Sequence, residues 1–190
     1  MPWVGGELAR GSFWFGRERY GVDLTRQYAE HLGRTGGAHV WYWPDGTPGF
    51  RTTNEVPYAG WGMAQWVAAL VEGLAGVRDR SSLLRHVLLE PRWAAAGVRE
   101  AAVVVRYAAS GGYAAYRYSS DREGRKIGLT VTGSGDTVDL RVLLPEGWGN
   151  PAIRIDGREL TTDVEQVDQS VYAVARCPIV GVIRILLSCR

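Results

Sequence analysis

Residues 59–75 constrain the fold of this chain more than any other segment. They read AGWGMAQWVAALVEGLA, and their only strongly polar side chains are Gln65 and Glu72. The segment predicts a helix, from about 58 to 75, that is apolar on nearly every side, and such a helix has to be covered on most of its surface. No earlier segment looks long enough to cover it, so we expect neighbours that this chain does not supply.

The same helix is rich in small residues. Gly60, Gly62 and Gly73 each cost about 1 kcal/mol relative to alanine inside a helix, so close packing against neighbouring helices has to compensate. A second helix is predicted from about 17 to 33, where one apolar stripe recurs every four residues. The stripe consists of Tyr20, Leu24, Tyr28 and Leu32. Residues 1–16 mix aromatics with glycines, and we expect them to form a loop.

The predicted helices are joined by residues 39–57, HVWYWPDGTPGFRTTNEVP, which are rich in aromatic side chains. Pro44-Asp45-Gly46 and Pro48-Gly49 are typical of turns, so Asp45 is expected to form a turn. A long structured loop of this kind usually carries function.

Beyond Arg78 the hydrophobic pattern changes to short segments rich in Val, Ile, Leu and Tyr, separated by turns with Gly, Pro or Asp. We predict strands at about 84–89, 101–108, 113–119, 125–132, 136–144, 152–155, 171–177 and 182–188. Short strands at this regular spacing favour an antiparallel sandwich. The sequence therefore predicts an α+β chain in which a helical part, residues 1–80, precedes a β-sandwich, residues 81–190.

Composition excludes several classes of protein. With 190 residues, 46% hydrophobic and 22% charged, the chain is ordinary for a globular protein. A net charge of +2 argues against nucleic acid as a partner. No apolar run reaches the roughly 20 residues that cross a bilayer, so we predict no membrane partner. The first residues lack the features of a signal peptide, and we expect a cytoplasmic protein unless its true N-terminus is missing.

The two cysteines, Cys177 and Cys189, are expected to be free thiols. The predicted hairpin would separate them by roughly 20 Å or more at about 3.3 Å per residue, whereas a disulfide requires Cα atoms about 6 Å apart. Neither cysteine has a CxxC partner or a nearby histidine. We therefore predict no metal site and no cofactor.

Several motifs follow one another in a distinctive order. The PDG turn, a carboxylate and Tyr58-x-Gly-Trp come first, and then EGLAGV at 72–77, LLEPRW at 88–93 and IRIDGR at 153–158. This order resembles the C-terminal end of the six-hairpin, or (α/α)6-barrel, glycosidases, which include glucoamylase-, trehalase- and α-L-rhamnosidase-like enzymes. In many of them the last barrel helix ends in a phrase like EGLLGI, and a small β-sandwich follows.

The resemblance implies the final helical hairpin of an (α/α)6 toroid followed by an antiparallel β-sandwich. A complete barrel has twelve helices, which at roughly 12–15 residues each plus loops need over about 200 residues. The resemblance therefore implies a C-terminal fragment of a longer glycoside hydrolase, inactive by itself. The rest of the barrel, or a partner chain, would cover helix 58–75.

Glu55 is the candidate catalytic residue. Inverting glycosidases use two carboxylates across the glycosidic bond, one of which activates water as a general base. In several six-hairpin families this base lies in a loop that enters one of the last helices, and Glu55 stands in such a loop. Arg51 is expected to bind substrate or to pair with Glu55 and keep it ionised. The expected sugar-stacking residues are Trp41, Trp43, Tyr58 and Trp61.

Alternative interpretations stay open. A capping box at 52–55 would make Glu55 structural, although Pro57 would then fall inside the helix. The aromatic loop is also compatible with a non-catalytic carbohydrate-binding module. A polysaccharide lyase would instead use Tyr58 with His39. A further alternative is a non-functional remnant that needs a partner chain.

Overall fold

The computed structural model describes residues 2–49 and 58–189. The chain divides into two compact units, Met1–Leu74 and Ala75–Arg190. The first is helical, and the second contains two sheets in which antiparallel pairs predominate. The protein is therefore a mixed α+β chain with a β-sandwich-like arrangement, as the sequence predicts at this coarse level.

The helical unit contains three α-helices among its described residues: α1 (Pro2–Trp14), α2 (Glu18–Thr35) and α3 (Gly60–Ala68). A π-helical segment, Ala69–Leu74, continues α3. Helix α1 packs against α2, α3 and the π-helical segment. None of these helices is long and apolar enough to cross a membrane.

The prediction of a loop at residues 1–16 is wrong, because most of this segment is α1. Its three glycines weaken the helical signal, and packing overrides that weakness. The buried positions Gly6, Ala9 and Phe13 recur at helical spacing on one side of α1. This stripe is the sequence pattern that indicates a helix at α1, and the glycines make it hard to recognise.

Glycines allow α1 to approach its neighbours closely. A Cβ atom added at Gly6 would lie 2.7 Å from the backbone carbon of Gln65 on α3. Phe13 is fully buried, and a Cβ atom at Gly73 would collide with its ring. Gly73 of the apolar segment therefore serves close packing, as predicted, whereas a Cβ atom at Gly60 would meet nothing within 4 Å.

Helix α1 covers only part of the apolar surface of the unit. Met63 and Val67, one turn apart on α3, are exposed, as is Trp61. On α1, Val4 and Leu8 form a second exposed apolar pair at the same spacing. The described part of the unit therefore leaves two apolar stripes in contact with solvent. The three α-helices of the described residues do not form a toroid by themselves.

The strand-rich unit contains eleven strands among its described residues. They are β1 (Val77–Asp79), β2 (His86–Leu89), β3 (Glu100–Arg106), β4 (Tyr113–Asp121), β5 (Lys126–Gly133), β6 (Thr137–Leu143), β7 (Ala152–Ile155), β8 (Arg158–Leu160), β9 (Asp163–Val167), β10 (Ser170–Pro178) and β11 (Val182–Ser188). The eight predicted strands are all present. The three additional strands, β1, β8 and β9, are three to five residues long, too short to show a period.

The strands form a five-stranded sheet, β1-β2-β6-β10-β9, and a six-stranded sheet, β3-β4-β5-β11-β7-β8. All pairs are antiparallel except β2 with β6, which is parallel. Alternate residues are buried along β4, β5 and β11 of the six-stranded sheet and along most of β6 in the five-stranded sheet, so each sheet buries one face more than the other. Both cysteines are free, as predicted, and Cys177 is buried.

Candidate functional site

The aromatic loop is anchored at both of its described ends. His39 and Tyr58 form an isolated antiparallel bridge, and the Ala59 backbone N–H donates to the Ala38 carbonyl at 2.7 Å. The chain that leaves α2 is thus tied to the chain that enters α3. This tie fixes Tyr58 and the start of α3 relative to the loop.

Tyr42 organises the interior of the loop. Its hydroxyl accepts a hydrogen bond from the His39 backbone N–H (2.9 Å) and donates one to the Gly37 carbonyl (3.0 Å). Its ring meets the His31 ring edge-on, with centroids 4.2 Å apart. Burial, followed by the nearby charge of Arg34, lowers the pKa of His31. Tyr42 therefore fixes the loop on the C-terminal end of α2.

Asp45 forms a turn. Its Oδ1 accepts from the Thr47 backbone N–H at 2.9 Å and from the Thr47 hydroxyl at 2.7 Å. The backbone hydrogen bond first, and then the hydroxyl, lower the pKa of Asp45. Trp43 closes the turn, because its backbone N–H donates to the Thr47 carbonyl at 2.9 Å. Asp45 is thus an ionised turn residue.

The turn presents the two loop tryptophans differently. Trp41 is half-buried and packs over Gly49, where a Cβ atom would collide with its ring. Trp43 stands edge-on to Trp41, with centroids 4.7 Å apart, and 53% of its surface is exposed. Trp41 therefore supports the loop, and Trp43 is the ring that solvent and ligands can reach.

Two further aromatic side chains are exposed where the chain enters α3. Tyr58 is 57% exposed, and its ring lies 5.0 Å from the buried His39 ring. Trp61, in the first turn of α3, is 54% exposed. Exposed aromatic rings on a hydrogen-bonded framework are suited to stacking on the apolar faces of sugars.

The predicted base Glu55 and the predicted substrate contact Arg51 lie outside the described residues. The described carboxylates Glu7 and Glu72 are occupied, because Arg10 binds Glu7 at 2.7 Å and Glu72 at 3.1 Å. In the described part of the chain, no cluster of three or more His, Cys, Asp or Glu residues is arranged to hold a metal ion.

His39 has a supporting position. Its Nε2–H donates to the Thr35 carbonyl at 3.2 Å, and the residue is 5% exposed. A ring held this way positions the exposed ring of Tyr58. This geometry does not favour the pairing of Tyr58 with His39 that a lyase would use, because such a base has to reach the substrate.

Sequence reasoning missed a buried ionic cluster behind the LLEPRW motif. Glu90 and Arg92 are 1% and 0% exposed, and Arg92 Nη2 lies 3.3 Å from Glu90 Oε2. Arg78 and Arg141 also bind Glu90, at 2.7 and 2.8 Å. The Trp93 indole N–H donates to the Tyr116 hydroxyl at 2.9 Å. The motif thus builds the core of the strand-rich unit.

Comparison with known proteins gave structural neighbours only. No protein-family model matches the sequence, and no curated protein matches it either. An α-L-rhamnosidase from Dictyoglumus thermophilum aligns at 14% identity over 71% of this chain and 15% of that chain, with a TM-score of 0.47. A β-L-arabinofuranosidase from Geobacillus stearothermophilus T6 aligns at 10% identity over 68% and 18%, with a TM-score of 0.42.

A further neighbour, described as a glycoside hydrolase, aligns at 14% identity over 90% of this chain and 29% of that chain, with a TM-score of 0.43. The chain therefore spans less than a third of the length of each of these three proteins. All three are glycoside hydrolases by description. At such low sequence identity and TM-score, the similarity does not establish a family for this chain.

Proposed function

We propose that this chain is the C-terminal part of a glycoside hydrolase that cleaves glycosidic bonds in oligosaccharides or polysaccharides. The observation that carries the proposal is the pair of exposed rings, Trp43 and Tyr58, on the hydrogen-bonded loop whose two ends flank residues 50–57. Glu55 belongs to that stretch, three residues before Tyr58 in the sequence. A carboxylate and an exposed aromatic ring in the same short segment are the residue types that general-base hydrolysis and sugar stacking require.

In the proposed mechanism Glu55 is the general base of an inverting hydrolysis. The ionised carboxylate removes a proton from water as the water attacks the anomeric carbon, and a second carboxylic acid protonates the leaving oxygen. That acid would come from a part of the enzyme outside this chain. Arg51 would hold Glu55 ionised or bind a sugar hydroxyl, and Trp41 would support the binding rings.

The exposed apolar stripes agree with a place in a larger helical assembly. Met63 and Val67 on α3 and Val4 and Leu8 on α1 lie on solvent-facing sides of helices that pack closely elsewhere. We propose that further barrel helices, or a partner chain, cover them. The strand-rich unit would then be the appended sandwich of an (α/α)6-barrel enzyme.

The test is Glu55→Gln in the longer enzyme that contains this chain. We expect turnover to fall by at least about 100-fold, because the amide cannot accept the water's proton. Substrate affinity should stay within a few-fold. Steady-state hydrolysis and equilibrium binding measure the two quantities separately. Asp45→Asn is the matched control, since Asp45 belongs to the turn, and unchanged turnover in Glu55→Gln would remove Glu55 from the mechanism.

A second candidate function is a non-catalytic carbohydrate-binding module. The exposure of Trp43, Tyr58 and Trp61 favours it, because exposed aromatic rings can stack on sugars without the help of a carboxylate. In that case Trp43→Ala should abolish binding, and Glu55→Gln should change neither binding nor any hydrolysis.

A further inference from the structure

The solvent-facing side of the six-stranded sheet carries a groove that the proposed hydrolysis does not use. The groove has a volume of about 560 Å³ and crosses β3, β4, β5 and β11. Alternation along these strands places Arg117, Thr130 and Arg184 on the exposed side. We call this feature, lined by those three residues with Ser119, Gly128 and Glu100, the arginine groove.

Strand register brings the two arginines to either side of one threonine. Thr130 is paired with Arg117 on β4 and with Arg184 on β11. Since neighbouring strands lie about 4.8 Å apart, the two arginine Cα atoms are separated by about 10 Å. Both side chains line the groove, and both are long enough to reach the space above Thr130.

Neither guanidinium group is held in an ion pair by a described residue, although two carboxylates lie nearby: Glu100 lines the groove, and Asp156 Oδ1 accepts a hydrogen bond from the Arg184 backbone N–H at 3.0 Å. Among the ion pairs of the described residues, none involves Arg117 or Arg184. Arg154 on the same face differs, because its guanidinium lies 3.7 Å from Glu159. Two like charges across a groove repel each other, and a bound anion would remove that repulsion.

The floor of the groove lies close to the backbone, and apolar residues such as Leu129 and Ile185 line it beside the polar ones. Gly128 is paired with Ser119, and a Cβ atom added at Gly128 would lie 2.7 Å from the Ser119 hydroxyl. A glycine inside a strand weakens it, and it often marks a place where a ligand approaches the backbone. Glu100, at the start of edge strand β3, is the one carboxylate that lines the groove. The lining thus has two positive charges and one negative charge.

We propose that the arginine groove binds the carboxylate groups of an acidic polysaccharide, a glycan that contains uronic acid residues. A planar guanidinium matches a carboxylate with two parallel hydrogen bonds. The hydroxyls of Thr130 and Ser119 are suited to the neighbouring sugar hydroxyls. The choice of a glycan as the carrier of the carboxylate rests on the proposed function, whereas the choice of an anion rests on the groove alone.

The test is calorimetric titration of the 190-residue chain with an oligogalacturonate and with a neutral galactose oligosaccharide of equal length. We expect the acidic ligand to bind, to bind more weakly as salt is added, and to lose at least about tenfold in affinity in both Arg117→Gln and Arg184→Gln. Arg154→Gln, on the same face but ion-paired, is the matched control and should bind like the wild type.

Several outcomes would overturn the groove proposal. They are no binding of the acidic ligand, equal binding by Arg117→Gln, and equal binding of the neutral oligosaccharide or of a single-stranded oligonucleotide. Circular dichroism checks the fold of each variant. If a glutamine variant unfolds, Arg117→Lys replaces it. Lysine keeps the positive charge but lacks the guanidinium fork, so this variant should still lose affinity. Glu55→Gln should leave this binding unchanged, so failure of the hydrolase proposal and failure of the groove proposal give different results.

Discussion

Glu90 is the residue on which most of the buried charge of the strand-rich unit depends. It is almost fully buried and forms ion pairs with Arg78, Arg92 and Arg141. Arg141 in turn binds Glu165 at 2.7 Å and lies over the Tyr172 ring. Burial works against the charge of Arg141, but its hydrogen bonds with Glu165 and Glu90 outweigh burial and raise its pKa.

We predict that Glu90→Gln destabilises the protein by about 3–5 kcal/mol, because the substitution removes the negative partner of the fully buried Arg92. Urea denaturation measures the free energy of unfolding. Glu159→Gln, which breaks the exposed pair with Arg154, is the control and should change stability by less than about 1 kcal/mol. A loss in Glu90→Gln no larger than the control would show that the cluster contributes little.

Asp139 makes the stability of the strand-rich unit depend on pH in the acidic range. Its Oδ2 lies 2.7 Å from His86 Nε2, and Arg176 also binds the carboxylate. Partial burial opposes ionisation, but the hydrogen bonds from Arg176 and His86 outweigh burial and lower the pKa of Asp139. Its stabilising contribution is therefore fully present above about pH 4 and is lost as pH falls through the lowered pKa.

We expect Asp139→Asn to lower the urea midpoint at pH 7 and to match the wild type once the pH falls below the folded-state pKa of Asp139. Urea midpoints measured from pH 7 down to pH 2 give the comparison. Asp136→Asn, at the exposed pair with Arg85, is the control and should have a small effect throughout. A constant difference between Asp139→Asn and the wild type at every pH would contradict this account.

At the scale of elements, the close contact between α1 and α3 depends on the absence of a side chain at Gly6. Gly6 faces the backbone of Gln65, which cannot move aside, whereas a Cβ atom at the adjacent Gly5 would meet nothing within 4 Å. Alanine is favoured over glycine in a helix by about 0.5–1 kcal/mol. Alanine at Gly5 therefore changes helix propensity alone, whereas alanine at Gly6 changes both helix propensity and the packing of α1 on α3.

We predict that Gly6→Ala destabilises the helical unit by about 1–3 kcal/mol through overpacking. Gly5→Ala should leave stability unchanged or raise it by up to about 1 kcal/mol. Denaturation followed by tryptophan fluorescence reports on this unit, because five of the eight tryptophans of the chain lie in its described residues from Trp14 to Trp66. Equal effects of the two substitutions would show that α1 does not depend on close approach to α3.

At the scale of the whole molecule, the exposed apolar stripes predict self-association. Val67 and Met63 on α3 form an exposed pair that a soluble chain tends to bury. We expect the isolated chain to dimerise or aggregate as its concentration rises, and we expect Val67→Glu to shift it towards monomer. Gel filtration with light scattering measures the mass.

The matched control for self-association is Val164→Glu, since Val164 is an exposed valine on β9 of the strand-rich unit. This substitution should leave the association unchanged. A wild-type chain that stays monomeric at every concentration would contradict the proposal that another helical element or chain covers α3.

The sequence alone determined the elements whose pattern is local. Alternation in VVVRY and VDLRV predicted strands that the structure contains as β3 and β6, because side chains on a strand point to opposite faces in turn. The turn chemistry around Asp45 likewise predicted a turn, and the Asp45 side chain does bond Thr47. These features depend on residues a few positions apart, and that is the range over which sequence patterns are informative.

Only the tertiary structure decided the features that depend on distant residues. Helix α1 forms because Gly6 and Phe13 find partners nearly 60 residues away, and the parallel pairing of β2 with β6 joins residues about 50 positions apart. The Glu90 cluster and the arginine groove arise in the same way, from strands that are neighbours in space. The apolar segment at 59–75 predicted a close-packed helix. Its packing partner α1 and its exposed stripe depend on contacts between distant residues, which no local pattern encodes.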